Sequence, residues 1–217
     1  MTDEFTFWII LRNLLFATRW TLLLTLIAFF GGAIGGIILT LMRLSSHRAL
    51  RWLAHAIIEV FQGTPLLMQL LLCFFGLTLV GINLEPLSAA TVVLTLYASA
   101  FLAEIWRGAA AALPRGQWEA STTLGMTFFQ QMRFVILPQA LQLSIPSTVG
   151  FLVQLIKSTA LVSIIGFVEV TKAGTIMANT VYRPFLIYGL VALIYFALCY
   201  PLSRYSRYLE KKVHATR

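Results

Sequence analysis

The chain has 217 residues, of which 59% are hydrophobic and only 11% are charged. Soluble domains carry roughly a quarter of charged residues, so this composition excludes an ordinary soluble domain and predicts a protein embedded in a bilayer. The formal charge of +8 would suggest a nucleic-acid partner in a soluble protein. Here the cations concentrate in particular loops, and no nucleic-acid partner is expected.

Residues 1–19 precede the first long apolar run. The stretch from Phe5 to Arg19 mixes aromatic and aliphatic residues with Arg12 and Asn13, and its ends are too polar to cross a bilayer comfortably. We interpret residues 1–19 as a periplasmic amphipathic segment that lies on the outer leaflet. The alternative is a sixth, short span, which would invert the topology.

Apolar runs of about 20 residues, the length that crosses a bilayer as a helix, follow one another along the rest of the chain. They predict an all-α fold, a polytopic membrane helical bundle of about five transmembrane helices over residues 20–208, with a basic cytoplasmic tail at 209–217. Turn-like segments are expected at 81–86 and 169–184. The predicted spans are 20–42, 54–80, 87–109, 144–168 and 185–205.

The first predicted span carries two overlapping patterns of small residues, Gly31-x-x-x-Gly35 and Gly32-x-x-x-Gly36. Small residues at this spacing let two helix backbones approach closely. We interpret them as a packing face within the chain, with a subunit interface as the alternative.

The distribution of Lys and Arg between the loops predicts the orientation. One side holds Arg12, Arg19, Lys172 and Arg183, offset by acidic residues. The other side is far richer in cations and includes the C-terminus, so we predict that the N-terminus lies outside and the C-terminus in the cytoplasm. The cations on the cytoplasmic side are Arg43, Arg48, Arg51, Arg107, Arg115, Arg133, Arg204, Arg207, Lys211, Lys212 and Arg217.

Residues 114–138 form a mixed polar and apolar segment between two apolar runs. Pro114 is expected to break the third helix, and Gly125 permits the positive φ that turns the chain into a second short helix. Pro138 is expected to end the segment and begin the fourth span. A large exposed apolar patch on the second helix would mark an interaction site, and a surface helix among lipid headgroups is the alternative. The patch would contain Met126, Phe128, Phe129, Met132 and Phe134.

Glu119-Ala-Ser121, then Gly125, then Val135-x-Leu-Pro138 resembles the EAA loop of ABC-importer permeases. Ser121 stands in place of the second Ala of that pattern, and Val135 in place of Ile. The resemblance implies a cytoplasmic coupling loop that docks on an ATPase subunit. The coupling residues that it implies are Glu119, Ala120, Ser121, Gly125, Leu137 and Pro138.

Further segments resemble the polar amino-acid (His/Glu/Gln/Arg permease-like) subfamily of these type I permeases, and the resemblance covers residues 13–212. It implies a permease subunit of an ATP-driven importer that carries polar amino acids across the bacterial cytoplasmic (inner) membrane as a multi-pass protein. An ABC permease for another small solute, such as methionine, remains an alternative. The segments are Gln62–Gln69, Ala103–Gly108, Pro114–Glu119, Leu161–Gly166 and Tyr182–Phe185.

The same resemblance implies the partners of the chain. A separate ABC ATPase subunit would hold ATP and Mg, and a second permease copy or a paralogue would complete the pathway. A periplasmic or lipid-anchored amino-acid-binding protein would deliver the solute.

Ionisable residues inside a membrane are expensive and usually face a cavity or a partner. Glu104 and Arg107 lie one helical turn apart, which predicts a structural ion pair that Glu59 could join, with contact to the substrate as the alternative. Lys157 is expected past the midplane. There it could bind a substrate carboxylate, or it could pack against helix carbonyls or an acid of a partner.

Gly63-Thr64-Pro65 interrupts the second span at membrane depth. Irregular backbone is tolerated there only where it is buried or lines a cavity, so we predict a lining role, with a simple proline kink as the alternative. Ser158 follows Lys157, where the resembled subfamily commonly has Asp. The candidate substrate-pathway residues are Gln62, Thr64, Gln69, Tyr97, Lys157 and Ser158.

No sequence motif predicts catalysis. The phosphate-binding pattern Gly-x-x-x-x-Gly-Lys-[Ser/Thr] is absent, and Cys73 and Cys199 lie in apolar runs without metal-ligand spacing. We therefore expect a transport subunit and not an enzyme, with no metal and no cofactor in this chain. The rival is a subunit of an ion-gradient-driven transporter or channel, which would need acids near the midplane. Glu59 and Glu104 are instead predicted near the inner face.

Overall fold

The computed structural model describes residues 7–45 and 47–215. Helices make up nearly all of this part of the chain. In chain order they are α1 (Phe7–Leu44), α2 (Arg48–Gly63), α3 (Leu66–Leu79), α4 (Pro86–Ala111), α5 (Arg115–Thr123), α6 (Phe128–Ile165), α7 (Val170–Val181) and α8 (Pro184–Ala215). We refer to the end of the bundle that carries α5 as the α5 side and to the opposite end, which carries α7, as the α7 side.

The predicted all-α membrane bundle is confirmed. Within the described residues, α1, α4, α6 and α8 are long and apolar enough to cross a membrane. The pair formed by α2 and α3 passes the same test only if it is taken together, and its two helices are bent by 103°. The described residues therefore contain four candidate spans, and a fifth if α2 and α3 are counted as one broken span.

The N-terminal segment differs from the prediction. Residues 7–19 are not a separate amphipathic segment, because α1 runs without a break from Phe7 to Leu44. Arg12 and Arg19 lie on the exposed face of α1, while the opposite face packs against α7 and α8 through a buried apolar cluster. The polar residues that suggested an interruption therefore mark only one face of a continuous helix. Residues 1–6 lie outside the described part.

The break in the second span lies where the sequence predicted it. Thr64 is extended, with φ −114° and ψ 144°, and Pro65 precedes the first turn of α3. Proline lacks the backbone N–H that would continue α2, and it disfavours helical backbone at the residue before it. The first half of this broken span, α2, begins at Arg48, earlier than the predicted boundary at residue 54.

Two further boundaries differ from the prediction. The stretch 169–184, expected to be turn-like, contains the helix α7, whose length of 12 residues is too short to cross a bilayer. The expected tail 209–217 continues α8 as regular helix to Ala215. In both places the chain is helical although its residues are too polar to belong to an apolar run.

The centre of the bundle is the contact between α1 and α4. Small residues of α1 lie directly on α4, so that a Cβ added at Gly32 would be 2.4 Å from the Cβ of Ala98. A Cβ added at Gly35 would be 2.2 Å from the Ser99 hydroxyl. The small-residue face is therefore a packing face within this chain, as predicted.

Candidate functional site

Residues 114–138 fold into a compact helical hairpin on the α5 side. α4 ends at Ala111, α5 begins after Pro114, and α6 begins at Phe128. A capping box starts α6, because the Thr127 hydroxyl accepts a hydrogen bond from the Gln130 N–H and the Gln130 side chain accepts one from the Thr127 N–H. We call the stretch 114–138 the hairpin.

Gly125 makes the turn of the hairpin. Its φ is +72°, in the left-handed region, and its N–H donates to the Thr122 carbonyl at 2.9 Å. The next N–H, of Met126, donates to the Ser121 carbonyl at 3.2 Å. This arrangement closes the end of α5 with a glycine in the manner common at helix C-termini. The predicted role of Gly125 as the turn therefore has the backbone geometry it requires.

A buried amide that the sequence analysis did not single out joins the two arms of the hairpin. Gln131 is 7% exposed, and its Nε2 donates to the Thr122 hydroxyl and to the Met126 carbonyl, both at 3.0 Å. Farther along, Gln139 Nε2 donates to Gln117 Oε1 at 3.0 Å. The sequence did offer a signal for this role, because Gln131 stands among aromatic and Met residues. A buried amide needs hydrogen-bond partners.

Only part of the predicted apolar patch is exposed. Met132 is 6% exposed and packs in the cluster beneath the hairpin, and Met126 is half-buried. We call the exposed apolar side chains of the hairpin the apolar surface. They are Leu124 (79% exposed), Phe128 (58%), Phe129 (70%) and Phe134 (64%).

The residues that carried the resemblance occupy different environments. Glu119 and Ala120 are exposed, whereas Ser121 is 2% exposed and donates to the Trp118 carbonyl at 2.9 Å. The Ser121 side chain is therefore buried, and its hydroxyl forms a hydrogen bond within α5 itself. Leu137, at 38% exposed, and Pro138 lie on α6 itself.

The sequence predicted that Pro138 would begin the fourth span as a separate helix, and this prediction differs from the structure. The chain instead continues as one helix from Phe128 to Ile165, and a π turn at Met132–Ile136 precedes the proline. A proline in a helix has no N–H for the usual bond and crowds the carbonyl four residues before it. The wider π turn just before Pro138 relieves that conflict, and the fourth span therefore begins well before residue 144.

Glu104 and Arg107 form an ion pair on α4. The Arg107 Nε donates to Glu104 Oε2 at 2.9 Å, and a second guanidinium nitrogen contacts Glu104 Oε1. Glu59 does not join this pair. Its carboxylate lies 3.6 Å from His55 Nδ1 on α2 itself.

The candidate pathway residues Gln62, Thr64 and Gln69 form hydrogen bonds around the helix break. Gln69 Nε2 donates to the Phe61 carbonyl at 3.0 Å, to the Thr64 carbonyl at 3.1 Å and to the Thr64 hydroxyl at 2.9 Å. Gln62 Nε2 donates to the Ala100 carbonyl of α4 at 3.3 Å. Gln69 therefore satisfies carbonyls that the end of α2 leaves without helical partners, whereas Gln62 links α2 to α4.

Tyr97 and Ser158 lie together between α4 and α6. The Tyr97 hydroxyl accepts from Gln154 Nε2 at 2.7 Å, and Ser158 hydrogen-bonds the same tyrosine. Tyr97 is 7% exposed and packs against Phe101, with ring centroids 4.5 Å apart. This polar pair is enclosed by aromatic rings.

Lys157 lies on a different face of α6. It lines a groove between α6 and α8 of about 570 Å³, which we call the α6–α8 groove. The structure therefore separates the candidate pathway residues into three places: the break, the Tyr97 pair and this groove. The groove residues contributed by α8 are Phe196, Cys199, Tyr200, Ser203, Ser206 and Arg207.

A buried carboxylate on the α7 side was missed by the sequence analysis. Glu169 is 0% exposed and caps α7, accepting from the N–H groups of Thr171 and Lys172, each at 2.9 Å. It also accepts from the Tyr195 hydroxyl of α8 at 2.8 Å and from the Thr21 hydroxyl of α1 at 3.4 Å. Burial raises the pKa of the Glu169 carboxyl, and the two backbone N–H groups oppose that shift. We call this cluster the Glu169 junction.

Comparison with known proteins gives a consistent picture. Residues 32–215 match the family described as binding-protein-dependent transport system inner membrane component. The L-cystine transport system permease protein TcyB of Bacillus subtilis is 35% identical over 209 residues, which are 96% of this chain and 88% of that protein. The arginine transport system permease protein ArtQ of the same organism is 35% identical over 198 residues, with 89% of each chain covered.

Solved structures agree with the sequence relatives. A crystal structure of an amino acid ABC transporter with histidines is 36% identical, covers 93% of this chain and 94% of its own, and has a TM-score of 0.88. A methionine ABC transporter, MetNI, in an inward-facing conformation is 26% identical with a TM-score of 0.74 over 92% of this chain and 96% of its own. The chain belongs to the family of binding-protein-dependent transport system inner membrane components and is a multi-pass protein of the inner membrane.

Proposed function

We propose that this chain is the permease subunit of an ATP-driven importer of polar amino acids. One observation carries the proposal: a membrane bundle whose sequence relatives are named amino-acid permeases presents a rigid hairpin with an exposed apolar surface. Relatives named for L-cystine, glutamine and arginine transport support an amino-acid solute. The ABC transporters among the relatives do not favour the ion-gradient alternative.

The hairpin is the proposed docking site of a separate ATPase subunit, which binds ATP and Mg. Phe128 and Phe129 supply large apolar side chains of the kind that dominate interface energetics, and Glu119 is exposed on α5. Gly125 and Gln131 hold the two arms in one arrangement. A rigid hairpin can transmit motion of the ATPase to α4 and α6, which continue directly from it.

The orientation follows from the cations. The α5 side carries Arg43, Arg115 and Arg133 and the end of α8, so the positive-inside rule puts this side in the cytoplasm. The N-terminus then lies outside. This orientation exposes the hairpin to a cytoplasmic ATPase.

The outer face and the pathway need two more partners. A periplasmic or lipid-anchored binding protein delivers the amino acid, which agrees with the family description. A second copy of this chain or a paralogue closes the pathway, because the α6–α8 groove is open along one side. Within the pathway Lys157 receives the carboxylate of the solute, while Gln62, Thr64 and Gln69 shape the break in the second span.

The test is copurification of the tagged chain with its operon neighbours in mild detergent. Gly125→Val and Gly125→Asn both add a side chain where no described atom lies within 4 Å of an added Cβ, so they differ chiefly in backbone preference. Asn tolerates the left-handed region and a β-branched residue does not. We expect a P-loop ATPase to copurify with the wild type and with Gly125→Asn, and to be reduced at least about tenfold with Gly125→Val. Absence of any ATPase from the wild type would overturn the proposal.

A further inference from the structure

The α6–α8 groove lies deep in the membrane. The Ser206 hydroxyl donates to the Pro146 carbonyl at 2.8 Å, so these two residues mark the same level of the two helices. Lys157 lies eleven residues beyond Pro146 along α6, which corresponds to about 16 Å at the helical rise. Ser206 lies between Arg204 and Arg207, where the apolar run of α8 ends, so its level marks the edge of the hydrocarbon core. The core is about 30 Å thick, and Lys157 is therefore close to its middle.

The Lys157 side chain is exposed on the single chain. An ammonium group at the centre of a bilayer is unstable against lipid tails and usually faces a water-filled cavity or a partner. Hydroxyl groups of Tyr200, Ser203 and Ser206 line the same groove. A polar groove with a cation at mid-membrane depth is suited to a hydrated solute and not to lipid.

Two cationic residues, Lys157 and Arg207, line the groove, and no Asp or Glu is among its described lining residues. Lys157 lies near Cys199, and Arg207 follows Cys199 by eight residues, or about 12 Å along α8.

The buried Glu169 accepts a hydrogen bond from Tyr195 of α8, and two further carboxylates line a separate groove between α4, α6 and α8. There Glu104 is paired with Arg107, and Glu210 lies on the other wall. The described lining of the α6–α8 groove itself therefore carries two cations and no carboxylate.

We propose that the α6–α8 groove selects acidic amino acids, with Lys157 and then Arg207 as successive contacts for the side-chain or α-carboxylate. This inference rests on the proposed importer function and adds the charge class of the solute. A positive groove concentrates anions and repels cations. Amino acids with two carboxylates are favoured over their neutral amides, and cationic amino acids such as arginine are disfavoured.

Glutamate and glutamine provide the matched pair of probes, because they have nearly the same shape and differ by one charge. The complete complex, with its ATPase and binding protein, is reconstituted in liposomes, and ATP-driven uptake of labelled glutamate, glutamine and arginine is measured. The variants are Lys157→Met and Lys157→Arg. Because one binding protein serves all variants, the ratio of mutant to wild-type uptake isolates the contribution of the permease.

We expect Lys157→Met to lower glutamate uptake about tenfold, the order expected for one lost hydrogen bond to a charged group, and to lower glutamine uptake less. Lys157→Arg should retain most glutamate uptake, since it keeps the charge. Lys172→Met is the control, because it removes the same ammonium group from α7, outside the groove. The amount of ATPase that copurifies with the chain should be the same for all of these variants.

The outcomes separate the two proposals. If the wild type imports arginine in preference to glutamate, or if Lys157→Met lowers glutamate and glutamine uptake equally, acidic selectivity is overturned while the importer function stands. If the reconstituted complex imports no amino acid under ATP, both proposals fail.

Discussion

The hairpin and the Glu169 junction hold helices together in opposite ways. In the hairpin, the hydrogen bonds of Gly125 and Gln131 reach residues fewer than ten positions away. At the junction, Glu169 contacts Thr21, which is 148 positions away in the chain. The hairpin leaves aromatic side chains exposed, whereas the junction leaves its carboxylate completely buried.

This difference separates a surface that we propose binds a partner from a cluster that fixes the helices of the bundle relative to one another. Short-range bonds let the hairpin keep its shape while its apolar surface stays available. The long-range bonds of Glu169 make the positions of α1, α7 and α8 depend on one another. Loss of a side chain should therefore affect assembly in the first region and folding in the second.

The largest effect on stability is expected from Glu169→Ala. Removing the carboxylate leaves two backbone N–H groups and the Tyr195 hydroxyl without their acceptor in a buried site, which costs about 3–5 kcal/mol. Thermal unfolding in detergent should show a large loss of stability. Glu169→Gln retains an acceptor oxygen and should lose clearly less stability. Equal stability of the wild type and Glu169→Ala would contradict the role of the junction.

A smaller loss is expected where α1 lies on α4. Gly32→Val forces a side chain into the space held by Ala98, and overpacking of this kind costs about 1–3 kcal/mol. Gly189→Val on α8 is the matched control, because an added Cβ there meets no described atom within 4 Å. The same unfolding assay tests both variants. Equal melting temperatures of Gly32→Val and Gly189→Val would show that α1 and α4 can move apart at little cost in stability.

Gln131→Leu should loosen the hairpin without melting the bundle. It leaves the Met126 carbonyl and the Thr122 hydroxyl without the amide, at a local cost of about 1–3 kcal/mol. Trypsin cleavage at Arg115 and Arg133 should become about tenfold faster at a cost near 1.4 kcal/mol. Gln139→Leu, whose partner Gln117 is exposed, should change cleavage little. Unchanged cleavage in Gln131→Leu would mean that Gly125 alone sets the turn.

The smallest effect on stability is expected from Phe129→Ser. Phe129 is 70% exposed, so unfolding should shift by no more than about 0.5 kcal/mol. Its affinity for the ATPase should nevertheless fall at least about tenfold, as for a central aromatic contact. Phe185→Ser, on the α7 side and 95% exposed, is the control that should leave ATPase binding unchanged. Equal affinity of both variants would place the docking site elsewhere.

Sequence patterns predicted the local features of the fold and missed the distant ones. The turn at Gly125 and the break at Thr64–Pro65 depend on residues that are neighbours in the chain, and both were found. The continuity of α1 was missed because Arg12 was taken as an interruption, although one exposed face of a long helix accommodates it. α7 was missed because 12 residues are too few to give a span.

The grouping of the pathway residues could not be predicted either. The sequence predicted the depth of Lys157 in the membrane, but depth alone does not give the face on which a helix presents a side chain to its neighbours. That face depends on how α6 packs against α4 and α8, and on the π turn before Pro138, which shifts the helical register. Glu169 was read as a loop acid, because its partners Thr21 and Tyr195 come from the two ends of the chain.

The length of α1 has a mechanical consequence. Its 38 residues make a rod of about 57 Å, nearly twice the thickness of the hydrocarbon core. About two thirds of the way along, Gly32 lies directly on α4, while the two ends of α1 rest on α7 and α2. If this close contact acts as a pivot, the two ends of α1 swing in opposite directions when the hairpin moves, and the longer N-terminal arm moves farther. Spin labels at the exposed positions Phe16 and Leu41, each paired with one on α4, would measure that motion.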